Sequence, residues 1–180
     1  LRSVPKSVEI PFATNDVNVN GTLNLLLCAR DQGVRRVVYA SSSSVYGDCV
    51  EFPQKESFTP EPISPYAVSK LAAEYYCRMF TRTMGLETVS LRYFNVFGPR
   101  QNPESKYSAV IPAFLSRLAS GKPCMIDGDG EQSRNFTYVS NVVDANLAAC
   151  EAKGAEGKVF NVARGEDHSV VEVAEGLKKI

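Results

Sequence analysis

Tyr66 and Lys70 stand four residues apart in Tyr66-Ala67-Val68-Ser69-Lys70. That spacing puts both side chains on one face of an α-helix. An ammonium beside a phenol stabilises the phenolate and draws down a pKa that starts near ~10. Tyrosine then becomes a usable acid and base near neutral pH. The pair alone is a weak signal, because chance supplies such a spacing in many chains. Its setting is more specific. Upstream lies Ala40-Ser41-Ser42-Ser43-Ser44-Val45-Tyr46-Gly47, a run of small hydroxyl side chains where a strand is predicted to end. Open α/β sheets bind ligands beyond the carboxyl ends of their strands. Taken alone, a polar serine loop is the plainer reading. Two further stretches offer ligand-facing groups. Leu91 to Gln101 runs from a strand into Asn95-x-x-Gly98-Pro99, and Gly128 to Val139 delivers Arg134 from a turn just ahead of a strand. The planar guanidinium fork suits phosphate oxygens. Each of these also reads as an ordinary strand exit or a surface arginine.

The elements that must hold these residues follow from patterning. A helix is predicted over 14–32, capped by Thr14 or Asn15 and stopped by Gly33. Residues 35–41 are short and β-branched and read as a buried strand. A proline- and charge-rich loop covers 48–63. Ser64-Pro65 opens a long helix that ends before Gly85. A strand is expected over 87–94, a helix over 107–120, short strands over 124–127 and 136–139, a helix over 141–152 and a strand over 158–163. Ser169-x-x-Glu172 is a capping box that opens a last helix. This alternation predicts an α/β fold with a mostly parallel sheet.

Composition narrows the chemistry. The 180 residues carry 20 Lys plus Arg and 20 Asp plus Glu, for a net charge of zero. That argues against broad nucleic-acid binding, which draws on a basic excess. No apolar run approaches the roughly 20 residues that span a bilayer, and no signal peptide is read. The five cysteines are scattered, with no C-x-x-C pair. Free thiols in a reducing, cytoplasmic setting are expected rather than a disulfide framework or a metal site. The single histidine, His168, leaves a Ser-His-Asp mechanism little to work with.

Taken in order, the motifs S-S-S-x-V-Y-G, S-P-Y-x-x-S-K, R-Y-F-N-V-x-G-P-R-Q, A-V-I-P and G-D-G-x-x-S-R-x-F resemble the extended short-chain dehydrogenase/reductases. The likeness is to the UDP-sugar 4-epimerases of the NAD-dependent epimerase/dehydratase family. It implies a truncated Rossmann-type fold: 1–98 as the later half of an NAD-binding domain and 99–180 as mainly a substrate-binding part, with 136–163 partly returning to the sheet. It implies Ser42, Tyr66 and Lys70 as catalytic, with Ser42 on the sugar 4-oxygen, Tyr66 as base and then acid, and Lys70 on the nicotinamide ribose. NAD contacts would come from Asn20, Ala40, Ser41, Ser42, Tyr66, Lys70, Tyr93 and Phe94. Substrate contacts would come from Ser3, Ser42, Ser43, Ser44, Tyr66, Asn95, Gln101, Ala109, Val110 and Met125, with Arg134 on the diphosphate. No metal is implied. The likeness also implies a homodimer through the helices at 14–32 and 65–84.

Two departures stand out. Asn135 occupies a place where the family usually has Asp. The family's Gly-x-x-Gly-x-x-Gly loop has no counterpart in these residues, which implies a piece of a longer enzyme. Within the family, 4,6-dehydratases and UDP-glucuronate decarboxylases resemble one another in carrying carboxylates in the serine loop. Here Ser42-Ser43-Ser44 has none, which points to 4-epimerisation of UDP-glucose/galactose or their N-acetylated forms. A UDP-glucuronate 4-epimerase is an alternative. So is an inactive fragment or a scaffold that binds a nucleotide sugar without turnover.

Overall fold

The site residues are carried by elements found in a computed structural model that describes residues 1–102 and 110–179. In chain order the helices are α1 (Val4–Glu9), α2 (Pro11–Asn15), α3 (Gly21–Asp31), α4 (Pro65–Thr83), α5 (Val110–Ala119), α6 (Val139–Glu151) and α7 (Val170–Leu177). The strands are β1 (Arg36–Ser42), β2 (Glu87–Tyr93), β3 (Val96–Phe97), β4 (Ser133–Asn135), β5 (Thr137–Tyr138), β6 (Val159–Val162) and β7 (Asp167–Ser169). They divide into two units. The first comprises residues 1–93 and 143–162, the second 94–142 and 163–180. The boundary falls within α6.

The first unit is built on a parallel sheet ordered β1-β2-β6. β2 is central, and Thr88 to Arg92 are all buried, as expected of a strand covered on both faces. β1 lies at the sheet's edge among the described strands. Its register with β2 sets Ser42 beside Tyr93. The core packs Leu26 and Ala29 of α3, Tyr39 of β1, and Ala73, Cys77 and Phe80 of α4 around Leu86. α4 begins where the sequence predicts: the Ser64 hydroxyl accepts from the Ala67 amide at 3.2 Å, and Pro65 occupies the first turn. Gly47 follows the serine loop at φ 62°, where an added Cβ would lie 2.0 Å from the Glu61 carbonyl oxygen. Neither the torsion nor the space admits a side chain.

The second unit pairs β3 with β5 in parallel and β4 with β7 antiparallel. Phe114 of α5 packs with Val170 and Ala174 of α7. The predicted capping box is present: Ser169 accepts from the Glu172 amide, and the Glu172 carboxylate accepts from the Ser169 amide.

Several boundaries differ from the sequence expectations. Helical backbone starts at Pro11, not residue 14, and a π-helical turn over Asp16–Asn20 links α2 to α3. The expected strand at 124–127 does not form. No partner strand pairs with it, and Met125 and Ile126 are exposed. α1, β3, β4 and β7 were not expected. Of the helix predicted over 107–120, residues 107–109 lie outside the described set.

Candidate active site

β1 ends on Ser41 and Ser42, and the chain turns at once through a single 3₁₀ turn, Ser43–Tyr46. Ser42 caps that turn. Its Oγ accepts from the Ser44 amide at 3.2 Å and from the Ser44 hydroxyl at 2.9 Å. Tyr66 is the second residue of α4, and the Ser42 side chain lies near enough to its phenol to pull its pKa down. Lys70, one helical turn on, donates from Nζ to the Ala40 carbonyl oxygen at 2.9 Å. The ammonium lies 5.8 Å from the centroid of the Tyr66 ring and 5.2 Å from that of Tyr39, within cation–π range. The three expected catalytic residues therefore meet, brought together by one strand end and the opening of one helix.

The electrostatics differ from the expectation. Burial pushes the Tyr66 phenol above its usual pKa, against the Ser42 side chain and the charge of Arg2, which pull it down. Burial also lowers the Lys70 ammonium. Lys70 donates to the Ala40 carbonyl and is not among the groups that pull the phenol down, so the predicted acidification of Tyr66 by Lys70 is not what this geometry produces. Desolvation of the phenolate outweighs the charge of Arg2.

A second set of residues fixes α4 from the N-terminal side. Ser7 is buried, and its Oγ accepts from the Tyr66 amide at 3.1 Å while donating to the Val4 carbonyl at 2.6 Å. Buried Asn18 donates to Ser69 Oγ at 3.0 Å, and Ser69 donates back to the Tyr66 carbonyl at 2.7 Å. Ser7 and Asn18 were not singled out in the sequence. Asn20 was; it is exposed, and its amide bonds Asp16 at 2.8 Å. Ser3 caps α1, accepting from the Lys6 amide at 3.3 Å. Ala40 is exposed at the strand end, Ser41 is buried with its hydroxyl donated to Glu74, and the Tyr93 hydroxyl donates to Asn146 at 2.9 Å.

The second unit contains a cavity of about 340 Å³. Four expected substrate residues line it: Asn95, Val110, Met125 and Arg134. Asn95 has φ 22°, and its amide donates to the Asn135 carbonyl at 3.0 Å. The Arg134 guanidinium is exposed and donates to the Ser133 carbonyl at 2.7 Å, with donors left for an anion. Asn135 does not face an ionic partner. Its amide donates to the Glu166 carbonyl and its Oδ1 accepts from the Arg164 amide, so it ties β4 to the loop before β7. Phe94 is buried, Gln101 donates to the Val96 carbonyl, and Ala109 lies outside the described residues. Phe97, Asp127, Gln132 and Phe136 also line the cavity and were not anticipated. The Phe97 and Phe136 rings meet edge to face at 6.4 Å. Gln132 and Phe136 each stand two residues from Arg134 in the same run, and Phe136 opens the strand predicted over 136–139; that proximity was the available signal.

A parallel sheet with a Ser, Tyr and Lys gathered at a strand end defines the short-chain dehydrogenase class of α/β protein. The model of the NAD dependent epimerase/dehydratase family matches residues 1–163, and the chain belongs to that family. A putative UDP-glucose 4-epimerase of Methanocaldococcus jannaschii is 37% identical over 98% of this chain and 57% of its own length. A dTDP-D-glucose 4,6-dehydratase of Mus musculus is 38% identical over 92% of this chain and 45% of its own. The UDP-N-acetylglucosamine 4-epimerase of Methanobrevibacter ruminantium M1, solved with UDP-N-acetylmuramic acid, superposes with a TM-score of 0.94. It is 42% identical over 97% of this chain and 56% of that one. The chain spans about half the length of the relatives it matches.

Proposed function

We propose that this chain carries the acid–base centre of an NAD-dependent 4-epimerase acting on a UDP-hexose, glucose/galactose or their N-acetylated forms. The observation that carries the reading is the gathering of Ser42, Tyr66 and Lys70 at the end of β1, with Lys70 Nζ on the Ala40 carbonyl and 5.8 Å from the Tyr66 ring centroid, in a serine loop without a carboxylate. Elimination of water needs an acid and a base besides the tyrosine, and Ser42-Ser43-Ser44 offers none. Epimerisation needs one group that takes and returns a proton at a single oxygen. Tyr66 takes the proton of the sugar 4-hydroxyl and gives it back, while Ser42 holds the same oxygen. Ser43 and Ser44 extend the hydroxyl lining, and Arg134 holds the diphosphate.

The strand end suits a flat cofactor. Exposed Ala40 and small Ser41 put no bulk there, and Lys70 reaches across to the Ala40 carbonyl. Lys70, Ser42 and the backbone of Ala40 and Ser41 would hold NAD, with Tyr93 and Phe94 at the neighbouring strand exit. When bound, NAD supplies reversible oxidation at the sugar C4. Lys70 then orients the cofactor and keeps a positive charge beside Tyr66.

The test incubates UDP-hexoses and NAD⁺ with the protein and separates the C4 epimers. Epimer should form, and Tyr66→Phe should reduce its rate by about 10²- to 10⁴-fold, the usual worth of acid–base catalysis. UDP binding without turnover would instead favour a non-catalytic nucleotide-sugar binder, a second reading supported by the raised pKa of Tyr66. Loss of both turnover and UDP binding would sink both readings.

A homodimer is part of the proposal. Val17 and Leu25, near and in α3, and Val68 and Tyr75 on α4 are each about half exposed. An apolar stripe on two neighbouring helices suits a matching surface on a second copy.

A further inference from the structure

Glu74 continues the catalytic face of α4: residues 66, 70 and 74 recur at the i, i+4 spacing, which keeps all three on one side of the helix. Its carboxylate is buried, and it receives three donors. Arg92 of β2 forks onto it through Nη2 to Oε2 at 2.7 Å and Nε to Oε1 at 3.0 Å. Ser41, the residue before Ser42 on β1, donates its hydroxyl to Oε1. The side chains of Arg92 and Glu74 are 3% and 2% exposed. The guanidinium also stacks on the Tyr46 ring, at 4.7 Å from the centroid, and Tyr46 closes the serine loop. Nothing in the proposed reaction uses either charge.

A buried ion pair of this kind is a poor source of stability, since well-packed apolar residues often serve as well or better. What it does supply is direction. The bidentate fork fixes α4 against β2, and the Ser41 bond fixes it against the end of β1. α4 and β1 are the two elements whose separation sets the reach from Tyr66 to Ser42. The field of Glu74 extends beyond the pair, reaching the Tyr39 phenol and the Cys77 thiol. Tyr39 in turn lies under the Lys70 ammonium.

We propose that Glu74 and Arg92 are the positioning pair of this centre, locking Ser42, Tyr66 and Lys70 in register while cancelling each other's charge beneath them. This rests on the reading of that trio as the acid–base centre. Other charged or titratable groups around Lys70 and Tyr66 are Arg2, ahead of α1, and Tyr39 on β1.

The test reads Lys70 directly, by ¹³Cε nuclear magnetic resonance of lysine-labelled protein, with Lys70→Arg assigning the signal. Glu74→Gln is nearly isosteric and leaves the Arg92 cation uncompensated. It should lower the Lys70 titration midpoint by about half a unit or more. Arg92→Met leaves the carboxylate uncompensated and should raise it by a similar amount. Removing both charges together should return the midpoint close to the parent value. Ser41→Ala, a deletion too small to threaten the fold, strips one donor from the carboxylate and should shift Lys70 upward, opposite to Glu74→Gln. A merely structural pair would not give shifts of opposite sign. Single variants that move Lys70 in the same direction, or not at all, overturn the proposal. So does a double variant displaced as far as either single one. If Arg92→Met fails to fold, the opposed signs of Ser41→Ala and Glu74→Gln decide the matter alone. This readout needs no turnover, so its failure is separate from failure of the epimerase reading, which Tyr66→Phe tests.

Discussion

Tyr66 shows how far a motif predicts chemistry and where solvent takes over. Spacing placed it beside Lys70, and the structure brings Ser42 near enough to pull its phenol down. Burial nonetheless keeps the phenol protonated beyond its usual range, and it depresses the ammonium that was expected to acidify it. The four-residue spacing is a local property of a helix, legible from the chain alone. Desolvation depends on everything that covers the ring, wherever it stands in the chain, and no local pattern reports it. Two residue-scale outcomes follow. Lys70→Met should weaken NAD binding and turnover together, because it removes the cofactor-side cation. Arg134→Ala should weaken UDP-sugar binding by about tenfold or more while leaving the Lys70 titration unmoved, since its loss removes charge-assisted bonds to phosphate. Isothermal titration with UDP checks the second, and binding unchanged from the parent would refute the diphosphate assignment.

At the scale of elements, the strong signals were caps and centres. Ser64-Pro65 and the Ser169–Glu172 box marked two helix starts that the structure reproduces, because caps are short-range chemistry. β7 could not be read: Asp167-His168-Ser169 has little strand character of its own and exists through its pairing with β4. The expected strand at 124–127 failed for the reverse reason, an apolar run with no ladder partner among the described strands. Of the cavity residues, Val110 and Met125 came from family resemblance alone, and Asn95 and Arg134 from their residue types at strand and turn exits as well. Phe97 and Asp127 are brought in by tertiary packing alone. One element-scale prediction concerns Arg36 in β1. It pairs with Glu87 and Glu156 and caps the Ala149 and Ala152 carbonyls at the end of α6, with a side chain only 5% exposed. Arg36→Ala strands these partners and should cost about 3 kcal/mol, measured by urea unfolding. A loss under about 1 kcal/mol would show that the carbonyls find other donors.

For the whole molecule, ionisation links stability to alkaline pH. Tyr39, Tyr46, Tyr66 and Tyr93 are all raised by burial, and the Cys77 thiol is pushed up to about 12. In the unfolded chain these groups lose protons near pH 8.5 for Cys and ~10 for Tyr. Above those values the unfolded state binds fewer protons than the folded one, so stability falls as pH rises. Lys70, lowered in the fold, acts in the opposite sense but is one group against five. The thermal midpoint should stay level to about pH 8.5 and then decline through pH 11; a flat profile to pH 11 would contradict these shifts. The helical stripe gives a second prediction. Val68→Asp with Tyr75→Glu should convert a dimer to a monomer in light scattering, and a parent already monomeric at micromolar concentration would remove the dimer from the proposal.

The Ser7 bond carries a consequence in time rather than energy. First-turn amides of a helix have no partner within it and normally exchange their hydrogens quickly with solvent. In α4 the Tyr66 amide is held by Ser7 and the Ala67 amide by Ser64, so the helix opens with its fastest exits closed. Both amides should exchange only when α1 lifts or α4 frays. The opening rate of a six-residue helix would then be the clock that limits how long Tyr66 stays in place.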